Sequence, residues 1–172
     1  MAILGFNGQG ANQFNIVRWW ACKFTATEAG TFTDLNLYFD MTGPGNYKLC
    51  IWADSISTPG TPGALLFQST PDTHTTTLVW KSRPCNYSFV SGEVLHLGAI
   101  ADDWMNIYSD AGVTNQLTEF TQDYTGWPTV PNPPTVQQQY NSKTSIYGNY
   151  TPSSVSTIKG IATLKGIQTL KF

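Results

Sequence analysis

Thr31-Phe32-Thr33-Asp34-Leu35-Asn36-Leu37-Tyr38-Phe39-Asp40 places Leu35, Leu37 and Phe39 at every second position, with Asp34, Asn36, Tyr38 and Asp40 between them. A period of two is the period of a strand, so this stretch predicts a β-strand with one face in a core and the other toward solvent. Gly43-Pro44-Gly45-Asn46 follows as a turn, and Tyr47, Leu49, Ile51 and Ala53 then alternate with Lys48, Cys50 and Trp52. Two alternating runs around such a turn predict an antiparallel pair.

Working outward, the same signals recur. Ile3 to Phe6, Ile16 to Thr25, Leu65 to Gln68, Thr75 to Lys81, Glu93 to Ala101, Trp104 to Tyr108 and Thr144 to Tyr150 read as strands. Pro59-Gly60 and Pro62-Gly63 mark a long loop between Ser55 and Gly63, and Asp102-Asp103 reads as a break between strands. Residues 109 to 142 are polar and proline-rich, with a strand near Leu117 to Phe120. Their loop around Trp127 is expected to be exposed from Asp123 to Pro134. No segment keeps a helical period. Short strands at this spacing predict an all-β fold, an antiparallel two-sheet β-sandwich or jelly roll. Leu35, Leu37, Leu49, Ile51, Leu95 and Leu97 are expected in its core.

Composition narrows the function classes. The chain has 172 residues, 12% charged and 13% aromatic, with a formal net charge of −2. Such a chain lacks the basic face that a nucleic-acid partner requires. Lys159, Lys165 and Lys171, with no acid from Thr151 onward, give the last segment +3, which leaves −5 for the rest of a chain totalling −2. No run approaches the roughly 18 apolar residues of a membrane helix, so no membrane partner is expected. The opening Met1-Ala2-Ile3-Leu4-Gly5 lacks a basic region followed by an apolar one. The expectation is synthesis in a cytoplasm without export by a signal peptide.

Catalytic patterns are missing. His74 and His96 lie 22 residues apart with no Cys or carboxylate at zinc-ligand spacing, so structural roles are expected for both, and no metal or cofactor. Asp102-Asp103 with Asp110 could offer oxygens to calcium, but adjacent acids also mark ordinary turns. Cys22, Cys50 and Cys85 leave room for one disulfide and do not form a framework. The chain is expected not to be an enzyme. Aromatic side chains carry more signal, because exposed rings stack on sugars and anchor interfaces. Trp104, Tyr108, Tyr124 and Trp127 are the candidate ligand-binding residues; core filling is the other reading for such rings.

The last segment repeats a unit, Thr-(Ile/Leu)-Lys-Gly-Ile-x: Thr157-Ile158-Lys159-Gly160-Ile161-Ala162, Thr163-Leu164-Lys165-Gly166-Ile167-Gln168, then Thr169-Leu170-Lys171-Phe172. Six is a whole number of strand periods, so every extended unit shows the same faces. Bare apolar strands aggregate unless covered. The chain thus divides into a sandwich domain, 1–152, and an extended C-terminal β tail, 153–172. The assembly residues of the tail are Ile158, Ile161, Leu164, Ile167, Leu170 and Phe172, pairing in trans with another subunit or in cis as a final edge strand.

Several patches, Trp20-Ala21-Cys22-Lys23-Phe24-Thr25-Ala26, Ala29 to Tyr38, Gly45 to Asp54, Pro62 to Leu66 and Ser145 to Pro152, resemble β-sandwich structural modules that occur in bacteriophage virion proteins and in bacterial surface proteins. Those modules are in turn similar to carbohydrate-binding modules. The likeness spans roughly residues 17 to 152 and supplies no catalytic residues. It implies a non-enzymatic virion structural protein, a capsid decoration, tail or tail-fibre subunit, located in the virion and made in a host cytoplasm. Its partners would be other copies of itself (a homo-oligomer) and other virion proteins. The alternative is a carbohydrate-binding module for attachment to a host or surface glycan.

Overall fold

The computed structural model describes residues 1–121 and 127–153, and of residues 14–18 the backbone alone. Tyr124 and the assembly residues Ile158, Ile161, Leu164, Ile167, Leu170 and Phe172 therefore lie outside the described residues. Among the described residues the protein is all-β, with thirteen strands and no helix, and every strand pairing is antiparallel. They begin with β1 (Ala2–Gly5), β2 (Asn12–Thr25), β3 (Gly30–Met41) and β4 (Gly45–Asp54). Next come β5 (Pro62–Gln68), β6 (Asp72–His74), β7 (Val79–Pro84) and β8 (Ser88–Phe89). The last five are β9 (Val94–Ala111), β10 (Leu117–Phe120), β11 (Val136–Tyr140), β12 (Ser142–Thr144) and β13 (Ile146–Pro152).

The spine is β9. One edge pairs with β2 over nearly its whole length. The other edge is shared in turn by β4, β3 and β12, against residues 95–101, 105–107 and 109–111 of β9. Thus Asp102-Asp103 does not interrupt the strand. The Asp102 carboxylate accepts hydrogen bonds of 2.6 Å from both the backbone N and Nδ2 of Asn46, which fixes the Gly43–Asn46 turn against the spine. The turn forms where expected, but β3 and β4 do not pair with each other across it. Each pairs with β9 instead, because β3 gives its own edges to β7 and β8 on one side and β13 on the other.

Side chains of β3 and β13 meet those of β2, β4 and β9 in one core, an arrangement consistent with a β-sandwich. Leu35, Leu37, Leu49, Ile51, Leu95 and Leu97 are all fully buried in it, as expected. A second cluster occupies the opposite face of the central strands, with Trp19, Ala21, Cys50, Trp52 and Ile100 under Phe120 and Val130. Alternation along β2 and β4 therefore sorts side chains between two buried layers, not between core and water. The proline-rich segment after Trp127 supplies the cover. Pro131 O accepts from Trp52 Nε1 at 3.0 Å, and Pro128 O accepts from Lys48 Nζ at 2.7 Å. That segment is less exposed than its composition suggests, since Val130 and Pro134 are buried, while Thr129, Asn132 and Pro133 remain at the surface.

Candidate functional site: an aromatic and carboxamide face

In β3 the odd residues Leu35, Leu37 and Phe39 enter the core, so Asp34, Asn36, Tyr38 and Asp40 line the opposite face. Pairing brings partners to the same face, since residues directly opposite in a ladder share a side. Trp80 of β7 stands opposite Tyr38, Tyr147 and Asn149 of β13 stand opposite Asn36 and Asp34, and Asn106 of β9 stands opposite Asp40. Tyr108 follows Asn106 at the next like-facing position of β9.

Four rings form a connected row on this face. Tyr38 lies between Tyr108, with centroids 5.5 Å apart, and Trp80, at 5.3 Å, while Trp80 reaches Tyr147 at 5.2 Å. Their planes are inclined by 60°, 38° and 67°, so the row is stepped and not flat. All four residues are half-buried, leaving part of each exposed. Carboxamides and carboxylates interleave with them. Asp34 Oδ1 accepts from Asn149 Nδ2 at 2.7 Å and from Asn36 Nδ2, and Asp34 Oδ2 accepts from Thr33 Oγ1 at 3.0 Å. Asp40 Oδ1 accepts from Asn106 Nδ2. Burial, reinforced by the Asp40 charge, raises the Tyr108 pKa, and burial with Asp34 does the same for Tyr147. Both phenols therefore stay protonated at neutral pH and can donate hydrogen bonds.

Of the sequence candidates, Tyr108 belongs to this row. Trp104, 37% exposed, lies on the same face of β9 two positions before Asn106. Trp127 sits elsewhere: half-buried against the second cluster, its ring centroid is 5.9 Å from Lys48 Nζ. Tyr38, Trp80 and Tyr147 were not singled out from the sequence. Tyr38 carried a signal, an aromatic ring at an outward position of an alternating strand. Trp80 and Tyr147 are brought to it only by pairing across gaps of 42 and 109 residues.

Both histidines and all three cysteines are buried in the fold. Buried His96 lies with Nε2 2.8 Å from Asp54 Oδ1, and buried His74 with Nε2 3.1 Å from the Phe39 carbonyl. Burial pushes both imidazole pKa values down, opposed by Asp54 at His96 and by the Phe39 carbonyl at His74. Cys22, Cys50 and Cys85 are free, buried thiols. Burial raises all three pKa values, to about 11 for Cys22 and about 12 for Cys85, so none is a ready thiolate nucleophile. Among the described residues no group of three or more His, Cys, Asp or Glu is placed to hold a metal ion, Asp102 and Asp103 included. No family model, no curated protein and no solved structure matches this chain.

Proposed function

We propose that this chain is a non-catalytic glycan-binding β-domain whose platform is the outer face of β3, β7, β9 and β13. The observation that carries the reading is the row Tyr108, Tyr38, Trp80 and Tyr147, half-exposed and interleaved with Asn106, Asn149, Asp34 and Asp40. Ring faces take the apolar faces of sugars, and short polar side chains between them take the hydroxyls. Binding to an immobilised panel of neutral oligosaccharides, followed by titration calorimetry, tests it. Trp80→Ala and Tyr38→Ala should each weaken binding by about 2 kcal/mol, roughly thirtyfold, if these rings are the hot spots. No binding by the full chain, or equal binding by both variants, overturns the reading.

A second reading has its own support. The hexad repeat of residues 157–172 favours a virion structural subunit, a decoration, tail or fibre component that assembles through Ile158, Ile161, Leu164, Ile167, Leu170 and Phe172. The two readings are compatible in one protein, an attachment subunit in which the tail assembles and the face binds. Its size in solution tests the assembly reading alone, since assembly requires a multimer and glycan binding does not.

A further inference from the structure

We infer that the aromatic face selects by charge: it accepts uncharged, hydroxyl-rich glycans and rejects acidic ones, with Asp34 and Asp40 as the specificity-determining residues. This rests on the glycan-binding reading above and adds the ligand class. The first observation is where the cations are not. Neither β3 nor β13 contains a Lys or Arg. In β7, Lys81 and Arg83 stand opposite the core-facing Leu37 and Leu35, on the other side of the sheet from Trp80. Arg83 is engaged there by Asp72, with Nη1 to Oδ2 at 3.1 Å. Lys143 of β12 stands opposite Asp110 and so shares the face, but at its end beyond Tyr108, where its Nζ sits over the Phe6 ring at 4.5 Å and not beside Asp34 or Asp40.

The second observation is how the two carboxylates are held. Among the described residues every donor that reaches them is neutral: Asn36, Asn149 and the Thr33 hydroxyl at Asp34, and Asn106 at Asp40. Among the described residues neither forms an ion pair. Asp34 thus accepts three hydrogen bonds and Asp40 one, all from neutral groups, and the charge of neither is cancelled. Each Asn spends one Nδ2 hydrogen on a carboxylate and keeps a second N–H and its carboxamide oxygen. The face therefore offers neutral donors and acceptors together, the complement of sugar hydroxyls, which both donate and accept. An incoming carboxylate or sulfate meets two like charges and the negative faces of four rings with no cation among them to offset its own charge, the arrangement by which a site excludes a competitor.

The test uses the full chain and hexasaccharides of glucose, mannose and galactose, each paired with its C6-oxidised uronate form, with affinities measured by calorimetry at low salt. At least one neutral hexamer should bind, and its uronate form should bind about tenfold or more weakly. Added salt should narrow that ratio, because screening weakens the repulsion. Asp40→Asn and Asp34→Asn should narrow it as well. The salt series on the unaltered chain serves if either variant fails to fold. A uronate bound as tightly as its neutral parent, or a ratio indifferent to both salt and substitution, overturns the charge selection and leaves the glycan reading standing. Failure to bind any hexamer, with an assembly that Trp80→Ala dissociates, gives the face to a second copy of the chain and overturns both.

Discussion

His96 and His74 show how a single residue type couples this fold to pH. Both imidazoles have folded-state pKa values pushed below the ordinary 6.5, chiefly by burial. Above pH 6.5 each is neutral whether the chain is folded or not. Below it the unfolded chain takes up protons that the folded chain resists, so stability falls as pH drops from 6.5 through the lowered folded pKa. The charged groups acting on His96 are Asp54, which opposes the shift, and Lys23, which adds to it. Those on His74 are Asp40 and Asp72, which oppose the shift, and Lys81. Denaturant unfolding between pH 7 and 5 should show stability decreasing by at most about 1.4 kcal/mol per pH unit for each histidine. His96→Gln and His74→Gln should each flatten that slope. A flat profile in the unaltered chain would mean that the imidazoles titrate alike in both states. Asp72, whose pKa is lowered from 3.8, acts only at lower pH and so does not blur this window.

At the scale of elements, the central crossing of β2 with β9 is the tightest. Gly98 stands opposite Ala21, and a Cβ placed there would collide with the Trp20 carbonyl and the Ala21 Cα. Backbone cannot yield as a flexible side chain does. Gly98→Ala should therefore destabilise the protein by about 1–3 kcal/mol, read from the denaturant midpoint. The second buried layer depends on different contacts. Lys48 reaches from β4 to Gln68 Oε1 at 2.9 Å and to the Pro128 carbonyl at 2.7 Å, tying β5 and the proline-rich segment to the same strand. Lys48→Met keeps most of the stem and removes the ammonium. It should cost about 1–3 kcal/mol, since the Pro128 carbonyl loses a charged donor. Amide exchange in the two strands flanking that segment, β10 and β11, should rise more than in β3 and β13. Equal protection throughout would show that the segment is held without Lys48, by Trp52, Val130 and the hydrogen bond from the Leu65 backbone N–H to Asn132 Oδ1.

For the whole molecule, the tail sets the assembly question. Burying one Ile or Leu contributes about 1.5–3 kcal/mol, so five or six such residues in the tail could outweigh the entropy of ordering it. Pairs between Lys159, Lys165 or Lys171 and the acidic remainder would add little and fade with salt. Removal of residues 153–172 should leave a folded species that sediments as a smaller particle than the full chain. If the truncated chain unfolds while the full chain is a monomer, the tail is a strand of its own domain. Ser153, the last described residue, donates its backbone N–H to the Ala29 carbonyl at 2.9 Å, so the cut should follow Ser153 in a second variant to spare that bond.

The sequence by itself determined the class and the main core. Alternation in β3 and β4 placed Leu35, Leu37, Leu49 and Ile51 inside because a period of two leaves a strand only two faces. The missing helical period and the frequent Gly and Pro turns settled the rest of the class. Strand partnership was not legible in the same way. A strand has two edges, and local sequence does not state which neighbour takes each, so β3 and β4 flank a well-formed turn and still pair separately with β9. Nor did polarity reveal that Lys48, Cys50 and Trp52 face a second core, because the cover comes from residues 127–136, far along the chain. Of the candidate site, Tyr108 and the outward position of Tyr38 were legible in the sequence, and the rest belongs to this second kind of information. Trp80, Tyr108 and Tyr147 lie in three different strands, and only the tertiary register around β3 sets them beside Tyr38, because a ladder fixes which distant residues share a face.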